Sequence, residues 1–97
     1  MTTDAVTSYH GPHAASQQPG AQVVTWLNPD PSAERVRVVR HTCECRARIY
    51  ELCATGGLAW VRVTDRLGRS TVVKETHRFR TREAEELWLK ILLGQAR

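Results

Sequence analysis

Ile49 to Arg66 reads IYELCATGGLAWVRVTDR. Two stretches rich in β-branched and aromatic residues flank Gly56-Gly57, a pair able to supply the positive φ angles of a tight hairpin. Ile49–Ala54 is therefore expected as one strand and Ala59–Arg66 as its antiparallel return. Along the return, Val61 and Val63 share one side, while Trp60, Arg62, Thr64 and Arg66 share the other, because side chains alternate along a strand.

Working outward, Leu67-Gly68-Arg69-Ser70 is a second turn and Thr71–Phe79 (TVVKETHRF) a third strand. Upstream, Arg35–His41 (RVRVVRH) alternates charged and apolar residues at the strand period. Downstream, Thr81 is an expected N-cap, and Glu83, Glu85 and Glu86 follow where the helix dipole favours acids. Ala84, Leu87, Trp88, Ile91 and Leu92 then recur at helical spacing, with Lys90 and Arg97 toward the negative end and Gly94 as the stop. The spacing predicts a helix over Arg82–Leu93. The fold class is α+β: an antiparallel three- to four-stranded meander packed against one C-terminal amphipathic helix.

On the third strand, Val73 and Phe79 are assigned to the core side, with Lys74, Thr76, Arg78 and Arg80 opposite. Glu75 and His77 then share the core parity, so either a β-bulge near Glu75 or Thr76 re-aims them or the helix covers only part of that strand.

Residues 1–20 offer almost nothing to bury and are expected as a disordered tail, removable with little change in melting temperature. Residues 21–33 begin with AQVVTWL and run into Asn28-Pro29-Asp30-Pro31; they are expected as an extended arm or edge strand whose Trp26 docks on the core. Residues 34–97 form the domain proper. Charge divides the chain the same way: residues 1–34 hold three acids and no Lys or Arg, whereas residues 35–97 hold all 14 basic residues against seven acids, a net of +7. Twelve of those 14 are Arg, a skew that a GC-rich genome also produces.

No apolar run approaches the ~20 residues of a membrane span, and the N-terminus lacks the basic start and apolar stretch of a signal peptide. The three cysteines are an odd number. A cytoplasmic protein without membrane contact is expected.

The one cluster in the sequence with ligand chemistry is His41, Cys43, Cys45 and Cys53, a set that four-coordinate zinc would need. On an extended strand, however, Cys-x-Cys separates the two thiols by ~6.5–7 Å. Simple packing of Cys53 is the plainer reading, and neither metal nor cofactor is expected. A Cys/His nucleophilic pair is conceivable, yet no strand-to-helix elbow or phosphate-binding glycine loop accompanies it. An enzyme is not expected. The basic strand side, with Trp60, Arg62, Arg66, Lys74 and Arg78, is the candidate nucleic-acid surface, since a sheet can enter a major groove or follow phosphates. The alternative is a solvated face of an arginine-rich protein, with function as a protein-interaction or homodimerisation module through Trp26, Trp60 and a strand edge. A small non-enzymatic regulatory or binding module covers both.

Trp60–Leu93, read as strand, turn at Gly68, strand, Phe79-Arg80-Thr81 and Glu83-Ala84-Glu85 before Trp88, resembles the arm-type DNA-binding domain of phage-integrase tyrosine recombinases. The resemblance implies a three-stranded sheet closed by a helix, with Arg62, Arg66, Lys74 and Arg78 reading a groove; it implies no recombinase activity. Separately, Tyr50-Glu51-Leu52-Cys53-Ala54, Gly56-Gly57, the Arg62–Thr64 step and Glu83-Ala84-Glu85 with Leu87-Trp88 look like small actinobacterial proteins, a likeness that implies no activity.

Overall fold

A computed structural model of the chain describes residues 11–30 and 35–97. Strands β1 (Arg37–His41), β2 (Arg48–Thr55), β3 (Leu58–Leu67), β4 (Ser70–Glu75) and β5 (Phe79–Arg80) precede one helix, α1 (Thr81–Leu92). The sheet is antiparallel throughout, in the order β1-β2-β3-β4, with β5 also pairing β3. This is the α+β meander-plus-helix expected from the hairpin and the helical stripe.

Both tight turns use glycine at their first central position: Gly56 (φ 56°) joins β2 to β3 and Gly68 (φ 63°) joins β3 to β4. That conformation matches the strand twist of a two-residue hairpin and is cheap only without a Cβ. Tyr50, Leu52 and Ala54 of β2 and Ala59, Val61 and Val63 of β3 form one side of the core, and Ala84, Leu87, Trp88 and Ile91 of α1 close it. At ~1.5–3 kcal/mol for each large side chain buried, the helix stripe is a principal source of stability.

The helix starts one residue earlier than the sequence predicts. Arg80 is its N-cap, extended at ψ 150° because it is still paired to Leu58 as part of β5, and no side chain caps the first turn. Thr81 is thus the first helical residue and not the cap.

The third strand also differs. Arg62 pairs with Glu75 and Val63 with Lys74, so Val73 and Glu75 lie on the side of Trp60 and Arg62, and Lys74 lies on the core side. The strand then breaks. Thr76 fills the gap between β4 and β5, its N–H donating to the Val61 carbonyl (2.9 Å) and its hydroxyl accepting the Val61 N–H (3.1 Å). The irregularity reverses parity, which restores Phe79 to the core side opposite Ala59. The bulge was expected to re-aim Glu75 and His77, whereas the irregularity re-aims Phe79; assigning Val73 to the core by its apolar character put the strand's first half on the wrong side.

Residues 1–10 and 31–34 lie outside the described residues, and so does that part of the expected tail. Residues 11–20 are not loose: Ala15 N–H donates to Leu92 O (2.9 Å), Gln18 N–H to Gly94 O (2.8 Å) and the Gln18 amide to Leu93 O (3.0 Å). These carbonyls at the helix C-terminus lack partners within the helix. The strap is held by backbone polarity, which composition does not register. The arm continues it: Gln22 bridges to the Gln95–Arg97 backbone, Trp26 donates its indole proton to Arg97 O (2.9 Å) and Leu27 exchanges two backbone bonds with Glu75 (2.6 and 2.8 Å). Val24 is buried in the core, and Trp26 packs against that core with its ring tilted and 6.1 Å from that of Tyr50, the docking expected of it.

Candidate functional site

The sheet side facing away from α1 carries the arginines singled out in the sequence, yet it is not a free basic surface. Trp60 is 0% exposed. Its indole N–H donates to Glu75 Oε2 at 3.1 Å, and the Arg78 guanidinium covers the ring at 4.0 Å. Arg78 in turn lies 3.9 Å from Asp30. A base cannot stack on a ring already covered, so the expectation of an outward aromatic platform is corrected here: parity placed Trp60 on the proper side, but the arm and the 76–78 segment cover it.

Arg62 donates Nε–H to Glu51 Oε1 at 2.8 Å, and that hydrogen bond is the main reason its guanidinium is held still more firmly protonated. Arg66 donates to the backbone carbonyls of Glu44 and Arg46, clamping the loop after β1. Lys74 is on the opposite side of the sheet, bonded to Asn28 Oδ1 at 2.6 Å. Of the five proposed nucleic-acid contacts, the structure engages every one internally and does not bring Lys74 to the same face.

Two other features are exposed. The first is the β1 edge. Arg37–His41 pairs only with β2 among the described residues, and all five positions are exposed, as are Arg35 and Val36 before them. A register shift between Val38 and Arg40 bulges the strand. Beside it runs a groove of about 390 Å³ lined by Gly11, Pro12, Val39, Arg40, His41, Trp88 and Leu92. At the opposite sheet edge, Leu27 bridges Glu75, the last residue of β4. Nothing in the alternation of RVRVVRH distinguishes an edge strand from a central one, so the sequence could not single it out.

The second feature is a cluster of thiols and imidazole. His13, Cys43 and Cys45 bring their ligand atoms within 4.8 Å of one another, and His13 Nε2 lies 3.1 Å from Cys45 Sγ. Cys43 and Cys45 sit on the irregular β1–β2 loop and not on an extended strand, which removes the spacing objection. The Cys45 thiol is pushed up, chiefly by its hydrogen bond with Cys43. The other two sequence candidates are elsewhere. His41 Nδ1 faces its neighbour's carbonyl at Thr42 (3.0 Å), and Cys53, wholly buried and opposite Trp60, has its thiol pushed up to about 11 mainly by burial. His13 was missed because it is thirty residues upstream in a segment read as a tail; only the ligand chemistry of His itself hinted at it.

No helix among the described residues is long and apolar enough to cross a membrane. Set against family models, curated proteins and solved structures, the chain finds no match in any of the three.

Proposed function

We propose that the protein is a small non-enzymatic binding module that takes an extended, acidic segment of a partner protein as an added strand along β1. The observation that carries this reading is the β1 edge itself: exposed at every position, paired on one side among the described residues, and lined by Arg35, Arg37 and Arg40. An edge strand offers unpaired backbone N–H and C=O groups that a second strand satisfies, while side-chain pockets set the choice of partner. The groove beside Val39 and Trp88 supplies such a pocket. Arg35 and Arg37, with Arg40 beside its 4.0 Å ion pair to Glu85, favour a partner rich in Asp and Glu. They disfavour a second copy of the same strand, since antiparallel pairing centred between Val38 and Val39 sets Arg37 against Arg40. Nucleic-acid binding through Trp60, Arg62, Arg66, Lys74 and Arg78 has less support, because each of these already has an intramolecular partner. Three cysteines outside any disulfide fit a reducing compartment, and we infer a cytoplasmic protein on that ground.

The test is fluorescence anisotropy with a labelled peptide of alternating Glu and Val, beside a copy with proline at every second position. Binding of the first and not the second, lost in the R37E/R40E variant, is the expected result. Equal binding of both peptides, or none, overturns the reading. So does tighter retention of duplex DNA that disappears in R62A/K74A.

A further inference from the structure

We propose that His13, Cys43 and Cys45 form a zinc site that clips the N-terminal strap to the β1–β2 loop. Zinc bonds of ~2.3 Å to sulfur and ~2.0–2.1 Å to nitrogen, arranged tetrahedrally, set S···S near ~3.8 Å and S···N near ~3.5 Å. The three ligand atoms already lie within 4.8 Å of one another, with His13 Nε2 at 3.1 Å from Cys45 Sγ. Closing on a metal therefore asks for movements of about 1 Å or less. Two thiolates and an imidazole suit zinc and exclude the hard cations magnesium and calcium, which take oxygen ligands.

The surroundings hold the ligands in place before any metal arrives. Arg66 donates to the carbonyls of Glu44 and Arg46, which flank Cys45 on either side. Thr42 N–H donates to Tyr50 O at 2.9 Å, which anchors the start of the loop to β2. On the strap, Pro12 O accepts the Cys43 N–H at 2.8 Å, so the residue next to His13 is tied to the loop that bears both thiols. Cys43 is buried while His13 and Cys45 are exposed, and these three are the members of the cluster among the described residues. His10, three residues before His13 in the sequence, lies outside the described residues and is not needed for the site as proposed. Binding converts both thiols to thiolates and releases their protons to solvent, so affinity falls as the pH is lowered.

The 97-residue chain, reduced and stripped with a chelator, is titrated with zinc ions against a chromophoric competitor and, in parallel, with cobalt ions. Expected are one metal per chain and a cobalt spectrum with thiolate charge-transfer bands and the intense visible bands of tetrahedral geometry. Losing a hydrogen bond behind a ligand already weakens metal binding about 10–100-fold, so loss of a ligand should exceed that in H13A, C45S and C43S. His13 and Cys45 are exposed, so their variants keep the test sound even if C43S does not fold. H41A and C53A should bind as the parent does, because neither residue is in the cluster. The proposal is overturned if the reduced chain takes up no zinc, if H13A and C45S bind it as well as the parent, or if the affinity follows His41 or Cys53 instead.

Discussion

Glu75 on β4 accepts the indole proton of Trp60 on β3 at 3.1 Å, and its other oxygen receives the Asp30 N–H at 3.3 Å. The carboxylate is 6% exposed and so links sheet and arm in a place that water hardly reaches. This pair explains why an acid sits on a strand where the sequence asked for an apolar residue.

Replacing Glu75 with Leu keeps the volume roughly constant but leaves the indole and Asp30 donors without their acceptor. A buried donor stripped of its partner costs ~1–3 kcal/mol. Urea denaturation should show Glu75→Leu destabilised by about that amount, with Trp60→Ala worse, at ~3–5 kcal/mol, since it also opens a cavity. A neutral result for Glu75→Leu would mean that the bond to Trp60 contributes nothing net.

Gly94 terminates α1 with φ +76°, and a Cβ there would collide with the Ser16 carbonyl, whose carbon lies 3.1 Å from that position. Gly94→Ala thus incurs ~1–2 kcal/mol for the left-handed backbone and a further penalty for pushing the strap away. Hydrogen exchange should show the Ala15 and Gln18 amides losing protection ahead of the sheet. Retained protection at both would show that the strap does not need this close approach.

Cys53 provides a pH prediction. Burial holds its thiol at about 11 in the folded protein, above its ordinary 9.0. A raised acid pKa stabilises the fold fully below the unfolded value and loses that contribution as pH climbs through the folded one. Unfolding experiments should accordingly find stability falling between pH ~9 and ~11, and Cys53→Ala should lose part of that slope. At neutral pH and without metal, iodoacetamide should modify the exposed Cys45 first and Cys53 only on unfolding. Early modification of Cys53 would contradict its burial.

The hairpin at Gly56-Gly57 and the stripe Ala84, Leu87, Trp88 and Ile91 were legible because glycine pairs and apolar periodicity are local signals. What the sequence withheld depends on contacts distant in the chain. Val73 and Glu75 take their side from the register of the Gly68 turn, and Phe79 returns to the core side only because Thr76 breaks the strand through bonds to Val61. The burial of Trp60 depends on Arg78 and Glu75, and the neutralisation of Arg62 on a cross-strand Glu51. Of the three residues in the proposed metal site, Cys43 and Cys45 were named from the sequence but partnered with His41 and Cys53 by proximity in the chain, whereas the strap brings His13 across from 30 residues upstream.

The strap yields the sharpest departure from what composition suggests. Read as an apolar-poor tail, residues 1–20 should be dispensable; read in the fold, residues 15 and 18 supply the partners of the Leu92, Leu93 and Gly94 carbonyls, and Pro12 that of Cys43. These bonds are partly exposed, so water replaces some of them on deletion and each is worth ~0.5–1.5 kcal/mol at most. Deleting residues 1–20 should still lower stability by more than about 1 kcal/mol, which in a domain of this size moves the melting temperature by ~4–8 °C. The loss should be concentrated at the end of α1: amide exchange at Ile91–Ala96 should quicken while β2 and β3 keep their protection, because Leu52, Val61 and Val63 do not touch the deleted segment's hydrogen bonds. An unchanged melting temperature together with unchanged exchange at Ile91–Ala96 would return the segment to the status of a tail.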